Sequence, residues 1–286
     1  MIQKTVYFFQ TVIIYILYPM VSWLVHLPLS RYFFTSPLDS FILDNFLVHQ
    51  TGHFSRNYQE WRVKRIAKVL ELHDIEWFKG KRILELGGGI GVIGAFFASL
   101  GAEVISAEYR TSNRNFVKIA YRNIPSFHSV FFDGEKDFLH LRPDESFGRV
   151  GGNKKFDMIL CFGFIEVISH FENVLEQCAQ LADEILLETM VCDSSDPSKI
   201  VWVDMPQDVN DHPLCGKSPR PSPAFIEKFF LDRHFKVDRY VTPDLNSRFN
   251  CYDWKPKNNN RVFMRNIGMK INIRRFWRFY RENNNG

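Results

Sequence analysis

The sequence contains little that is typical of an extracellular or metal-stabilised protein. Its five cysteines are scattered and odd in number, and no two of them form a C-x-x-C pair. This usage argues against a disulfide framework and favours a reducing compartment. His212 and Cys215 have H-x-x-C spacing, but no second pair accompanies them. We therefore expect no metal site.

Charged residues are absent from residues 5–30, and large apolar side chains fill this segment. It is long enough to span a bilayer, although Gln10, Pro19 and His26 weaken it as a span. No small-residue cleavage site follows, which argues against a secretory signal peptide. The alternatives are a membrane anchor, which we favour, an apolar helix that packs on the domain, and an oligomer contact. Most flanking positive charge lies on the C-terminal side, which favours a membrane-associated main domain facing the cytoplasm.

Acidic residues are almost absent from the C-terminal segment. Residues 254–286 contain nine basic residues and one acidic residue, whereas the rest of the chain contains 27 basic and 31 acidic residues. A solvated surface, a lipid-headgroup contact and a nucleic-acid contact all explain this bias, and nucleic acid is not favoured. Residues 274–281 also have the composition of a final strand.

Strand and helix patterns alternate from residue 81 onward, and no internal repeat interrupts them. Predicted strands lie at 82–86, 103–107, 128–132, 156–161, 184–191 and 235–241. Predicted helices lie at 90–100, 111–122, 166–182 and 222–233, and a further amphipathic helix precedes them at 58–75. The alternation predicts an α/β fold: a doubly wound, mostly parallel seven-stranded sheet with helices on both faces, plus an N-terminal hydrophobic helical extension.

This pattern divides the chain into four regions. A hydrophobic segment at 1–34 and a helical lead-in at 35–80 precede an α/β core at 81–254, and a basic segment follows at 255–286. Two long connections, 134–153 and 192–221, lie within the core. The second follows a strand, where α/β sheets place their ligands, so we expect it to contact substrate.

The most informative stretch is the glycine-rich turn at 81–94. A short apolar run from Ile83 to Leu86 ends in glycines and then changes to a helical pattern. Glycines at such a turn let backbone N–H groups approach a ligand that a Cβ would block. Glu85 is unusual, because a carboxylate at the end of a buried strand is costly without a cationic or hydrogen-bonding partner. We therefore expect a ligand that carries a positive group.

Two cofactor patterns overlap in this turn. Gly89, Gly91 and Gly94 form G-x-G-x-x-G, the dinucleotide fingerprint. Gly87, Gly89 and Gly91 form a second pattern, in which Glu85 precedes the first glycine by two residues. The unbroken stretch from Glu85 to Gly91 resembles motif I of the class I (Rossmann-like) S-adenosylmethionine (SAM)-dependent methyltransferases.

The resemblance implies that SAM is the cofactor and covers roughly residues 80–245. In this family the acidic residue, here Glu85, helps to hold the methionine amino group, and Gly87, Gly89 and Gly91 let the cofactor lie against the turn. SAM carries an ammonium and a sulfonium, so a carboxylate suits it better than it suits a pyrophosphate.

Later strand ends extend the resemblance. Glu108 follows the second strand and would accept hydrogen bonds from the ribose hydroxyls. Asp133 follows the third strand, where the family often contacts the adenine amino group. Cys161 lies at the exit of the fourth strand, where the family faces the methyl group and the substrate. Arg62 lies upstream of the core and could pair with the SAM carboxylate, although a solvated helix face explains it as well.

The expected reaction moves a methyl group to an oxygen or nitrogen atom of an acceptor. Candidates for a general base are Glu166, His170 and His212, and Arg220 is available for an anionic group of the substrate. The chain departs from many small-molecule members because Val167, not a histidine, follows Glu166.

The sequence also restricts the acceptor. No Asn/Asp-Pro-Pro-Tyr signature follows the fourth strand, which argues against methylation of DNA-base amino groups. A small molecule, a glycan or a lipid is favoured. The alternatives are an NAD(P)-linked oxidoreductase and a non-catalytic, membrane-tethered scaffold that keeps the fold.

Overall fold

A computed structural model describes residues 37–38, 41, 57–134, 155–205, 216–266 and 269–282. The chain divides into two compact units, Met1–Gln50 and Thr51–Gly286, and the described helices and strands from Asn57 onward belong to the second. Within the described ranges, no helix combines the length and apolar character that crossing a membrane requires. The segment 5–30 lies outside the described residues, and so does most of the helical lead-in before residue 57.

The second unit alternates helices and strands in the order that the sequence predicts. Its α-helices are α1 (Asn57–Leu72), α2 (Val92–Ser99), α3 (Thr111–Ala120), α4 (Phe171–Leu181) and α5 (Pro223–Leu231). Its strands are β1 (Arg82–Leu86), β2 (Glu103–Glu108), β3 (Phe127–Phe131), β4 (Met158–Phe162), β5 (Glu184–Met190), β6 (Ile200–Asp204), β7 (Lys217–Pro221), β8 (Lys236–Tyr240), β9 (Asn250–Cys251), β10 (Phe263–Asn266) and β11 (Met269–Tyr280).

One large sheet organises the unit, with strand order β10-β11-β5-β4-β1-β2-β3. The five strands from β1 to β5 are mutually parallel, whereas β11 is antiparallel to β5 and also pairs with β8 and β9. The predicted mostly parallel α/β fold is confirmed. The described sheet has nine strands, not seven, because β9 and β10 extend it along the first part of β11.

The central strands are short apolar runs because both of their faces are covered. Every residue of β4 is buried, and so are the last four residues of β1. Leu84, Ile159 and Ile185 from three neighbouring strands belong to one hydrophobic cluster that also contains residues of α4. Because these strands are parallel, their carboxyl ends lie at one edge of the sheet.

The connection at 192–221 contains a structure that the sequence did not predict. Strands β6 and β7 form a separate antiparallel hairpin, with Val201 opposite Arg220 and Trp202 opposite Pro219. Pro219 and Pro221 of β7 are unfavourable in a strand, because proline has no N–H to donate to a neighbouring strand. They are tolerated because each strand of a two-stranded hairpin keeps one edge without a partner, where a missing N–H costs no ladder bond.

The basic C-terminal segment contributes the longest described strand, β11. Its second half lies between β5 and β8, so its residues from Ile273 to Trp277 are buried. Trp277 is fully buried, and its Nε1 donates a hydrogen bond of 2.7 Å to Glu227. This strand is therefore part of the core and not a solvated tail.

We predict that Trp277→Ala destabilises the fold by about 3–5 kcal/mol, because the substitution leaves a large cavity in a packed core. Urea unfolding measures the change. Ile119→Ala on α3 is the control, since Ile119 is 71% exposed, and its effect should stay within about 0.5 kcal/mol. Equal effects of the two substitutions would contradict the placement of β11 in the core.

Candidate functional site

The carboxyl ends of β1, β2, β4 and β5 open onto a cavity of about 550 Å³. Pockets of roughly 300–1,000 Å³ hold small molecules of drug or cofactor size. The walls come from the glycine turn after β1, the end of β2, the exit of β4, the β6–β7 hairpin and the first part of β11. This is the edge of a parallel sheet at which α/β proteins bind their ligands.

The glycine turn lies against the cavity with almost no room for side chains. Gly87, Gly89 and Gly91 have φ angles of 67°, 57° and 77°, a region that L-residues with a Cβ disfavour. A Cβ on Gly87 would lie 2.6 Å from the Phe164 ring, and one on Gly88 would lie 1.9 Å from Ser106 Oγ. The turn therefore requires glycine for both conformation and space.

Glu85 lies beneath this turn and is 4% exposed. Its Oε1 accepts the Gly94 N–H at 3.2 Å, whereas its Oε2 makes no hydrogen bond of normal geometry with the described residues. Burial raises the pKa of Glu85 to about 7, although the Ser106 hydroxyl, the Gly94 N–H and the positive charge of Arg62 offset part of the rise. A carboxylate buried at this turn suits a cationic ligand group.

Glu108 joins the end of β2 to the glycine turn. Its Oε2 accepts the Gly89 N–H at 2.8 Å, and its Oε1 accepts the Arg110 N–H at 2.7 Å. Burial raises the pKa of this carboxyl as well, against the effect of these two donors. Glu108 lines the cavity, so the structure brings Glu85, Gly87, Gly89 and Glu108 together as the sequence predicts.

Two other predicted cofactor residues lie beside the cavity without lining it. Gly91 precedes α2. A Cβ on Gly91 would lie 2.9 Å from the Phe127 ring and 2.9 Å from Val117, so its described neighbours are packing residues. Asp133 is buried, while Phe132 and Gly134 on either side of it line the cavity. At these two positions neighbouring residues line the cavity in place of the predicted ones.

Three further candidates are not brought into the cavity by the described structure. Cys161 is fully buried beside Cys178 of α4, which raises the pKa of the Cys161 thiol. His170 is exposed just before α4 and does not line the cavity. His212 lies outside the described residues. The β4 exit contributes Phe162, Gly163 and Phe164 instead, because successive strand residues face opposite sides of the sheet.

A buried ion network forms the part of the cavity wall near β11. Arg274 of β11 lies between Glu166 and Glu188: its Nη2 donates to Glu166 Oε2 at 2.7 Å, and its Nε donates to Glu188 Oε1. Arg65 of α1 forms a second ion pair with Glu188. Burial opposes ionisation of Glu188, yet Arg274 and Arg65 outweigh it and lower its pKa.

Aromatic side chains complete the network. Tyr252 donates to Glu188 at 2.8 Å and accepts from Trp61 Nε1 at 2.6 Å. The Arg65 guanidinium lies 3.4 Å from the centre of the Trp61 ring. Four segments distant in sequence thus meet at Glu188, a fully buried side chain.

Glu166 is held in place by donors on both oxygens. Arg274 Nη1 reaches its Oε1 at 3.1 Å, while the Met190 N–H and the Thr189 hydroxyl reach its Oε2 at 2.8 and 3.2 Å. Accepting a substrate proton would compete with these bonds. The arrangement therefore supports a positioning role for Glu166 over that of a general base.

The sequence interpretation did not identify Arg274 and Glu188 as site residues. The available signal was the occurrence of charged residues inside apolar strands: Glu188 in Ile-Leu-Leu-Glu-Thr and the Arg274-Arg275 pair before Phe276. Each is costly to bury alone, so each requires a partner of opposite charge. Sequence spacing does not show that these two are partners, because 86 positions separate them.

Comparisons with known proteins concern the family and the fold. Residues 56–240 match a family model described as a methyltransferase domain. None of the curated proteins matches the chain. These findings concern sequence, and solved structures provide an independent comparison of the fold.

Two similar structures are crystal structures of the N-terminal domain of EvdMO1. The one with SAH and D-fucose has 16% identity and a TM-score of 0.54, and the match covers 80% of this chain and 85% of that chain. The one with SAH bound has 16% identity and a TM-score of 0.52, with 78% and 81% covered. At this identity the likeness shows the fold.

We predict that Arg274→Gln lowers the free energy of unfolding by about 3–5 kcal/mol, since it leaves two buried carboxylates with less compensation. Lys236→Gln on β8, the strand next to β11, is the control. Lys236 pairs with Glu282, and the two side chains are 52% and 63% exposed, so the pair contributes about 1 kcal/mol or less. Urea unfolding of both variants measures the difference, and a small loss for Arg274→Gln would refute the coupling.

A second prediction concerns the pH dependence of stability. Glu85 has a pKa of about 7 in the folded protein against an ordinary value of 4.5, so the folded state binds this proton more tightly. Its contribution to the free energy of unfolding therefore falls as pH rises between these values. At about 1.4 kcal/mol per pKa unit, the raised pKa of Glu85 contributes roughly 3 kcal/mol to the free energy of unfolding below pH 4.5, and this contribution is lost above about pH 7.

Glu85→Gln should remove this contribution. The free energy of unfolding of the variant relative to the parent should rise by roughly 3 kcal/mol between pH 5 and pH 8. Glu103→Gln, at the exposed start of β2, is the control and should show no such trend. A stability difference for Glu85→Gln that does not depend on pH would contradict the buried, ionisable state of this carboxyl.

Proposed function

The chain belongs to the SAM-dependent methyltransferases, and on that premise we propose that it moves the methyl group of SAM to an oxygen or nitrogen atom of a small molecule, a glycan or a lipid. The observation that carries the proposal is the Glu85 carboxyl, which is buried beneath the glycine turn and lines the cavity. SAM carries positive charge, whereas a dinucleotide would bring a negatively charged pyrophosphate beside this carboxylate. Family membership and this charge argument both favour SAM over NAD(P).

The residues of the cavity fit the parts of the cofactor. Glu85 would hold the ammonium group, and Glu108, at the end of β2, would accept hydrogen bonds from ribose hydroxyls. Glu108 already accepts the Gly89 and Arg110 N–H groups and a hydrogen bond from the Asn113 side chain, whereas a carboxylate can accept about four hydrogen bonds in all. SAM supplies an electrophilic methyl group on sulfur, so the protein itself needs to bind, orient and exclude water.

Rigid positioning is the main contribution that the described residues can make. The Arg274–Glu166 pair fixes the segment after β4, and the β11–β5 pairing fixes Arg274. Holding the acceptor in a near-attack geometry can account for a large part of a methyl-transfer rate. A hydroxyl acceptor would in addition need a base, and His212 keeps that role as a prediction from the sequence.

Membrane association through residues 5–30, with a main domain facing the cytoplasm, also stays a prediction. Its support is the uncharged apolar segment and the excess of positive charge on its C-terminal side. A lipid acceptor would agree with such an anchor.

The cofactor proposal is tested by titrating SAM into the full chain in a calorimeter. We expect Glu108→Ala to weaken SAM binding by about tenfold or more, since each lost tenfold corresponds to about 1.4 kcal/mol of hydrogen bonding. Glu103→Ala on the same strand should bind SAM as the parent does. Absence of SAM binding by the parent would refute the proposal.

The transfer itself is tested with SAM carrying a labelled methyl group. Incubation of the full chain with a small-molecule and lipid extract should produce S-adenosylhomocysteine and a labelled product that mass spectrometry identifies. Binding of SAM without any labelled product would favour the non-catalytic scaffold.

A further inference from the structure

Arg220 is a buried cation whose purpose the cofactor does not explain. It lies on β7, is 4% exposed, and lines the cavity together with Glu166 and Arg274. Burial lowers the pKa of its guanidinium to about 10, and the negative charge of Glu166 offsets only part of this effect. A protein that keeps an arginine in so unfavourable an environment usually does so for a function.

One edge of the Arg220 guanidinium is hydrogen-bonded, and the other edge has no acceptor among the described residues. Its Nη1 donates to the Pro219 carbonyl at 2.9 Å and to the Ser218 hydroxyl. Within the described ranges, its Nε and Nη2 donate to no acceptor. An arginine presents its N–H groups in a planar fork, and the edge formed by Nε and one Nη matches the two oxygens of a carboxylate.

The charge balance of this wall leaves Arg220 as the surplus cation. Arg65 and Arg274 are matched by Glu166 and Glu188, all four joined by ion pairs. Arg220 forms no ion pair with the described residues. Arg220 therefore adds to this network a buried positive charge that the carboxylates of the network do not pair with.

The hairpin holds this charge close to the β4 exit. The Ser218 hydroxyl accepts from Arg220 and donates to the backbone carbonyl of Glu166. That carbonyl belongs to the turn directly after β4, Ile165–Val167. A group bound by Arg220 would thus lie beside the strand exit that the family turns towards the acceptor.

We propose that the methyl acceptor carries a carboxylate, which the open edge of Arg220 binds. The proposal rests on the proposed methyltransferase function and adds the chemical class of its substrate. A singly charged carboxylate is favoured over a doubly charged phosphate because a single buried charge is left unbalanced. Lys270 also lines the cavity, but it is exposed and its charge stays solvated.

The test uses the full chain saturated with S-adenosylhomocysteine, with benzoate, benzamide and inorganic phosphate as calorimetric probes. Benzoate and benzamide have nearly the same shape, so their comparison isolates the charge. We expect benzoate to bind the parent at least about tenfold more tightly than benzamide or phosphate does, the discrimination that a charged hydrogen-bonded pair provides.

Substitution at Arg220 then identifies the group responsible. Arg220→Gln should weaken benzoate binding by about tenfold or more, and Arg220→Lys should give an intermediate loss because it keeps the charge without the planar edge. Lys270→Gln is the matched control and should change benzoate affinity by less than about threefold, because its charge is solvated. Retained affinity for S-adenosylhomocysteine shows that each variant is folded.

Several outcomes would overturn the proposal. These are absence of benzoate binding to the parent, equal binding of benzoate and benzamide, stronger binding of phosphate, or unchanged benzoate affinity in Arg220→Gln. A parent that does not bind S-adenosylhomocysteine would instead refute the methyltransferase function, so the two failures are distinguishable.

Discussion

The ion pairs of Arg274 with Glu166 and Glu188 are the interaction on which the rest of the site depends. They join the last strand of the sheet to the segment after β4 and to the middle of β5. Arg65 attaches α1 to the same carboxylate. Because all of these charges are buried, none of them is stable without its partners, and the surrounding elements must assemble together.

This constraint explains the division of the cavity into two chemically different halves. Near β11 the charges are paired, the hydrogen bonds are numerous, and the wall is rigid. Near β1 the Glu85 carboxyl is buried beneath glycines that exclude side chains. The first half suits positioning of an acceptor, and the second half suits capture of a cationic cofactor.

Local pattern was sufficient for much of the fold and for the cofactor half of the site. Short apolar runs predicted β1, β2, β4 and β5 to within two residues at each end, because buried parallel strands need continuous apolar sequence. The spacing of Glu85 and the glycines identified the ligand turn, since acid and glycines lie within seven consecutive residues. Local pattern could not pair Glu188 with Arg274, because these two residues lie far apart in the chain. The β6–β7 hairpin was missed because its prolines resemble a loop.

By itself the sequence determined the fold class, the glycine turn and the charge type of its ligand, since backbone conformation, apolar periodicity and an isolated acid are local properties. Only the tertiary structure decided which charges compensate one another and which stay unmatched. It separated Cys161 and His170 from the cavity and placed Arg220 within it. The physical reason is that burial and pairing depend on which segments pack together, and the energy of a charge is set by those neighbours and not by its position in the chain.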